Sequence, residues 1–249
     1  MTIKAGVIGW PVDHSLSPVL HGYWLKQYGI DGAYEKIAAT PQDFAATIAR
    51  LRQEGYAGVN VTVPHKEAAF DLAAKRDGYA EITRAANLLT FPGEVFARNT
   101  DAIGLYESLK ESMGSDALAG KSVVLLGAGG AARGALLALH DLNVGKVRLL
   151  NRNRQRAINL AMSMKDTIDL QIIFGGLEDW KTASGAAVLV INSTSAGMGD
   201  NAPLGLDLSV LPPGAAVCDI VYHPLETALL QDAKARGHRT IDGLGMLMH

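Results

Sequence analysis

Lys66 closes the run Gly58-Val-Asn-Val-Thr-Val-Pro-His-Lys66, an apolar stretch that reads as a short buried strand stopped by a proline. Pro64 locks φ and removes a backbone donor, so a lysine just beyond it is held near the strand end rather than on a solvated helix face. Asn60 and Thr62, two positions apart, direct their side chains to one side of that strand. On this block alone, a chemical role for Lys66 and a purely structural one, as the first residue of the helix that follows, stand level.

A second constellation lies past the middle of the chain. The apolar run Ser122-Val-Val-Leu-Leu126 leads into Gly127-Ala-Gly-Gly-Ala-Ala-Arg133 and then an apolar helix from Gly134 to Leu142. Strand, G-x-G-x-x-A turn and helix in that order match a dinucleotide fingerprint. Gly127 permits the tight turn, Gly129 lets backbone N–H groups approach a pyrophosphate, and Ala132 lets the helix lie close to the sheet. Gly127, Ala128, Gly129, Gly130 and Ala131 are therefore the expected phosphate cradle. About twenty residues on, where a carboxylate would hold a free ribose hydroxyl, the chain reads Asn151-Arg-Asn-Arg-Gln-Arg156. Arg152, Arg154 and Arg156 suit a 2′-phosphate, with Asn151 and Asn153 as neutral partners, so NADP is favoured over NAD. Two later strands, Val188–Asn192 and Val217–Val221, run into loops carrying Thr194 and Tyr222, and ligands of open α/β sheets lie beyond such strand ends.

The elements that must position these residues alternate. Ala5–Ile8, Ala33–Ile37 and Gly58–Val63 read as strands, and Pro18–Tyr28, Gln42–Arg52 and Lys66–Ala74 as helices, which is the pattern of a parallel sheet covered by helices. Leu88–Phe91 and Val95–Arg98, joined by Pro92-Gly93, read as a hairpin adding edge strands. The helix from Asp101 to about Met113 carries the expected seam. The fold class is thus α/β: an N-terminal mixed-sheet substrate domain and a Rossmann-type doubly wound NADP-binding domain. The boundaries are 1–102, with 240–249 returning to the first domain, and 103–239 for the second.

Composition limits the partners. With 23 basic and 25 acidic side chains the net charge is −2, and no basic stripe suits a nucleic-acid backbone. No apolar run approaches the ~18 residues of a membrane span, and no signal-peptide pattern opens the chain, so a cytoplasmic protein acting on a small molecule is expected. The single cysteine, Cys218, sits in an apolar run and reads as core, and no Cys/His cluster suggests a metal.

Taken together, Gly9-Trp-Pro-Val-Asp-His-Ser-Leu-Ser-Pro18, Asn60-Val-Thr-Val-Pro-His-Lys66, Ala86-Asn87, Asn99-Thr-Asp101, Gly127-Ala-Gly-Gly-Ala, Asn151-Arg152 and Asp242-Gly-Leu-Gly-Met-Leu247 resemble the shikimate dehydrogenases, in that family's order and over nearly the full length. The resemblance implies NADPH-dependent reduction of 3-dehydroshikimate to shikimate by two α/β domains with the active site between them. It implies Lys66 and Asp101 as catalytic residues, and Ser15, Ser17, Thr62, Asn87 and Tyr222 as substrate ligands. Gly127 to Ala131, Asn151, Arg152, Asn153, Arg156, Thr194, Gly243 and Met246 are implied as cofactor residues. The chemistry agrees: as hydride reaches a carbonyl carbon, an ammonium within reach stabilises the growing charge on oxygen and supplies the proton. A monomer or homodimer is expected.

Departures from the family pattern are specific. Arg84-Ala85 replaces the usual glycine, Leu88 a common threonine, Ala102 a glycine, and His65 a phenylalanine; His65 is expected to be a packing variant rather than a proton partner. His14, His21, His140, His223, His238 and His249 lack ligand spacing and are expected at the surface or in caps. The family usually continues with a substrate-touching glutamine and a C-terminal helix, whereas this sequence stops at His249. Two rival readings are a dual quinate/shikimate dehydrogenase, which Ser15, Ser17 and the arginine turn oppose, and a non-catalytic sensor of a pathway intermediate, which has no reason to keep both Lys66 and Asp101.

Overall fold

The computed structural model describes residues 2–249, which group into two units, one ending at Thr100 and one beginning at Asp101. In the first, β1 (Ile3–Gly9), β2 (Gly32–Ala38) and β3 (Tyr56–Val61) are parallel. Beside them β5 (Leu88–Thr90) and β6 (Phe96–Arg98) form the expected antiparallel hairpin, turned at Gly93 with φ +73°. The sheet order is β2-β1-β3-β5-β6 and then β4 (Lys75–Arg76). The hairpin is not the sheet edge as expected, because β4 pairs outside β6. A two-residue strand followed by the short helix α4 (Gly78–Thr83) leaves no periodic signature in sequence.

Helices α1 (Ser17–Gln27), α2 (Phe44–Gln53) and α3 (Lys66–Leu72) complete this unit. Phe44, Ile48 and Leu51 recur at helical spacing on α2 and bury against Ile8, Ile37, Val59, Val61 and Leu89. Strand β3 ends at Val61 rather than Val63, yet its register persists: Thr62 N–H donates to Ile8 O at 2.9 Å and Trp10 N–H to Val63 O at 3.0 Å. Pro64 then ends the run and His65 N–H closes the turn onto Thr62 O, so that Lys66 is the first helical residue.

The second unit opens with α5 (Asp101–Met113). Its sheet is wholly parallel, built from β7 (Ser122–Leu126), β8 (Lys146–Leu150), β9 (Gln171–Gly175), β10 (Leu189–Asn192), β11 (Ala216–Asp219) and β12 (Arg239–Ile241) in the order β12-β11-β10-β7-β8-β9. This is the Rossmann strand order, with its reversal between β7 and β10. Helix α6 (Gly130–Asp141) starts four residues before the expected Gly134, because the glycine turn needs only residues 127–129. Helices α7 (Arg154–Met164), α8 (Trp180–Ser184), α9 (Ala228–Ala235) and α10 (Leu244–Met248) follow.

All of α5 and residues 240–249 group with the second unit, a division that differs from the expected 1–102 plus 240–249, and α5 packs against both α6 and α10. The cause is local. A Cβ on Gly104 of α5 would lie 2.5 Å from Met246 O, so only glycine lets α10 lie this close. Cys218 is buried as expected, and burial pushes its thiol upward.

Candidate active site

The first unit carries Ser15, Ser17, Thr62, Lys66 and Asn87. Ser15 is buried, and its Oγ accepts the Ser17 amide at 3.3 Å at the start of α1, which leaves the Ser15 hydroxyl proton to donate elsewhere. Lys66 is partly buried, and its carbonyl accepts the Ala86 amide at 2.8 Å. The next residue, Asn87, accepts the Val61 amide at 2.7 Å through its carbonyl. Its side chain is paired reciprocally with Thr100: Nδ2 donates to Thr100 Oγ1 at 2.8 Å and Oδ1 accepts the Thr100 amide at 2.9 Å. Three separate stretches of sequence are thereby tied together at the carboxyl end of β3.

Some of the supporting residues were not legible in the sequence. The Tyr34 hydroxyl donates to Asn60 Oδ1 at 2.7 Å, and the His21 ring stacks on Tyr34 with centroids 3.9 Å apart. His21 is therefore part of a packed cluster rather than a surface histidine, and burial lowers its pKa. His65 is a packing residue, as expected. It is buried, stacks on Phe44 at 4.6 Å, and its Nε2 donates to Ala39 O at 2.8 Å. Burial lowers its pKa, and the hydrogen bond to Ala39 opposes that only in part. The departure at Arg84 has a backbone consequence: it caps α4 at φ +51°, ψ +38°, the left-handed region where glycine is at ease.

In the second unit, Asp101 is the first residue of α5 and is largely buried. A Cβ on Gly134 of α6 would approach Asp101 Cβ to 3.0 Å, so the helix that leaves the glycine turn packs directly against this aspartate. Gly127 has φ +109°, and a Cβ there would come within 2.8 Å of Ser193 Oγ and 2.9 Å of Thr194 Cγ2. Thr194 is thus brought onto the turn, itself anchored by Oγ1 donating to Asn192 Oδ1 at 2.7 Å. Gly129, the N-cap of α6, differs: no atom lies within 4 Å of where its Cβ would be. Ala128, Gly130 and Ala131 complete the turn and the first helical residues, with amides at the positive end of α6.

Beyond β8, Asn151 Nδ2 donates to Asn153 O at 2.9 Å, and Asn153 caps α7 by accepting the Arg156 amide. Among the described residues Arg152 and Arg156 carry no ion pair and are exposed, whereas Arg154 faces Glu178 at 3.7 Å and Asp179 at 3.4 Å. Gly243 is pressed against the segment preceding Tyr222, since its Cβ would lie 2.3 Å from Ile220 O. Met246 lies against Gly104. A buried network missed from sequence supports these loops: Asp219, fully buried, accepts from Asn192 Nδ2 at 3.0 Å, from the Val221 amide at 3.1 Å and from Thr227 Oγ1 at 2.7 Å. Burial raises the Asp219 pKa, while the Thr227, Val221 and Asn192 hydrogen bonds pull the other way.

This donor set fits a dinucleotide bearing a 2′-phosphate. Open space faces Gly129, a helix N-terminus adjoins it, and two guanidiniums without an ion pair among the described residues stand at the ribose end.

The chain is similar to known proteins along most of its length. Residues 7–89 match the model of the shikimate dehydrogenase substrate binding domain, and residues 108–198 that of shikimate / quinate 5-dehydrogenase. The shikimate dehydrogenase (NADP(+)) of Acidiphilium cryptum is 47% identical over 246 residues, covering 98% of this chain and 86% of its own. Shikimate 5-dehydrogenase of Thermus thermophilus, solved in complex with NADP(H) and shikimate, is 35% identical with a TM-score of 0.83, covering 99% of this chain and 89% of that one. Quinate dehydrogenase of Corynebacterium glutamicum, in complex with NAD, is 29% identical with a TM-score of 0.88, covering 100% and 90%. From identity of this degree along almost the whole chain, the protein belongs to the shikimate dehydrogenase family.

Proposed function

We propose that this protein catalyses the reversible NADPH-dependent reduction of 3-dehydroshikimate to shikimate, in the route to aromatic amino acids. The observation that carries the cofactor half of this reading is the turn after β8, where Arg152 and Arg156 carry no ion pair among the described residues and no carboxylate occupies the ribose-hydroxyl position. NADPH supplies the hydride when bound, held by the Gly127–Ala131 turn, Asn151, Arg152, Asn153 and Arg156, with Thr194, Gly243 and Met246 toward the nicotinamide. The hydroxyls of Ser15 and Ser17, with Tyr222, bind the substrate carboxylate. Thr62 and Asn87 hold ring hydroxyls, and the Asn87 amide plane is fixed beforehand by Thr100. Lys66 donates the proton to the carbonyl oxygen as charge grows there, and Asp101 is the second catalytic group.

A quinate-oxidising, NAD-using relative has an equally similar fold, so fold does not discriminate between the two readings. The arginine turn and the serine pair favour shikimate and NADP. None of the described helices is long and apolar enough to cross a membrane. We place the protein in the cytoplasm, as a monomer or homodimer. Following nucleotide absorbance for shikimate and quinate, each with NADP and NAD, tests the proposal. Shikimate with NADP should show the highest kcat/KM, and a preference for quinate with NAD would sink it.

A further inference from the structure

We propose that Arg154 is a positioning residue for cofactor choice: it contributes nothing directly to the 2′-phosphate but masks two carboxylates that would otherwise repel it. This rests on the NADP reading above. Three arginines follow β8, and by sequence they look equivalent. The structure separates them, because only Arg154 is committed, Nη1 to Glu178 at 3.7 Å and Nη2 to Asp179 at 3.4 Å. The two acids lie just past the end of β9, the strand paired with β8 in register Leu150↔Gly175, so they share the carboxyl edge on which the Asn151–Arg156 turn sits.

The acids are built into that position. Asp179 Oδ2 accepts the Gly176 amide at 3.0 Å. A Cβ on Gly175 would lie 2.4 Å from Asp179 Oδ2, and one on Gly176 would lie 2.0 Å from the Glu178 carboxylate oxygens. Two consecutive glycines thus make room for two carboxylates at the edge where an incoming phosphate needs positive potential. Three guanidiniums against two carboxylates leave a net of one positive charge at the turn, and Arg154 is the charge that offsets the acids. The pairs are solvent-exposed, so the effect is a modest one and screened by salt.

The test is a mutant cycle read by calorimetric binding of adenosine 2′,5′-bisphosphate and of 5′-AMP, which differ in the 2′-phosphate alone. Arg154→Gln should weaken the bisphosphate about threefold to tenfold at low ionic strength and leave 5′-AMP unchanged, the difference shrinking in high salt. In the Glu178→Gln/Asp179→Asn background the same Arg154→Gln change should have little effect on either ligand. If Arg154→Gln weakens the bisphosphate equally or more in that background, the guanidinium contacts the phosphate itself and the masking role is wrong. If it weakens both ligands alike, Arg154 merely holds the loop, and the proposal is again overturned. Equal affinity of the unmutated protein for the two ligands would instead count against the NADP reading.

Discussion

The two glycines of the turn after β7 should separate folding from cofactor binding. At Gly127 the backbone has φ +109°, and an added methyl would meet Ser193 Oγ at 2.8 Å and Thr194 Cγ2 at 2.9 Å. Forcing an L side chain into that region costs about 1–3 kcal/mol. Moving the packed groups adds about 1 kcal/mol or more, and Ser193 is not free to yield because its Oγ donates to Leu126 O at 2.7 Å. Gly127→Ala should therefore lose about 2–4 kcal/mol of stability. At Gly129 the backbone is extended, with φ −109° and ψ −168°, and nothing lies within 4 Å of the new methyl. Gly129→Ala should cost at most about 1 kcal/mol, yet its methyl occupies the space through which a pyrophosphate must approach the α6 amides, so NADPH affinity should fall at least about tenfold. Urea unfolding can be followed through Trp180, which is buried in this unit with Nε1 donating to Asp207 O at 2.8 Å, whereas Trp10 and Trp24 are exposed. NADPH affinity comes from titration of the folded proteins. A Gly127→Ala protein as stable as the parent, or a Gly129→Ala protein that binds NADPH normally, would refute this division of labour.

Three further outcomes are expected. Lys66→Ala should lower kcat by ~10²–10⁴ with little change in shikimate KM, measured by steady-state kinetics; near-normal turnover removes Lys66 from the chemistry. Arg84→Gly should raise stability by about 0.5–1 kcal/mol, since relief of the left-handed strain at φ +51° outweighs the loss of a guanidinium 5.6 Å from the Phe70 ring; a lower urea midpoint contradicts that. His65, whose folded pKa is depressed by burial, binds a proton less readily folded than unfolded, so its contribution is complete above the unfolded pKa of about 6.5 and is lost as pH falls through the folded value. Between neutral and acidic pH the parent should therefore lose more stability than His65→Phe, and parallel pH profiles in urea would show that His65 is not responsible.

Features governed by neighbours in sequence were legible in advance. Proline at 64 stops a ladder wherever it stands, glycines at 127 and 129 license a turn, and alternating apolar runs define both sheets. The short strands β4 and β12 lack the Pro92-Gly93 turn signal that marks β5 and β6, and they exist only because partner strands offer them hydrogen bonds. The destination of 240–249 likewise depended on Gly104, some 140 positions earlier, leaving room for the α10 backbone.

For the site, residue types alone determined which groups can do chemistry: a strand-end lysine, a serine pair, a glycine turn and an arginine-rich turn without an acid. Tertiary structure decided which of them are available. It committed Arg154 to Glu178 and Asp179 and gave Arg152 and Arg156 no ion pair among the described residues, fixed the Asn87 amide on Thr100, and buried His65 against Phe44. The physical reason is range. Dihedral limits and donor chemistry belong to a residue and its neighbours, whereas burial, ion pairing and close approach depend on partners that only the folded chain brings near.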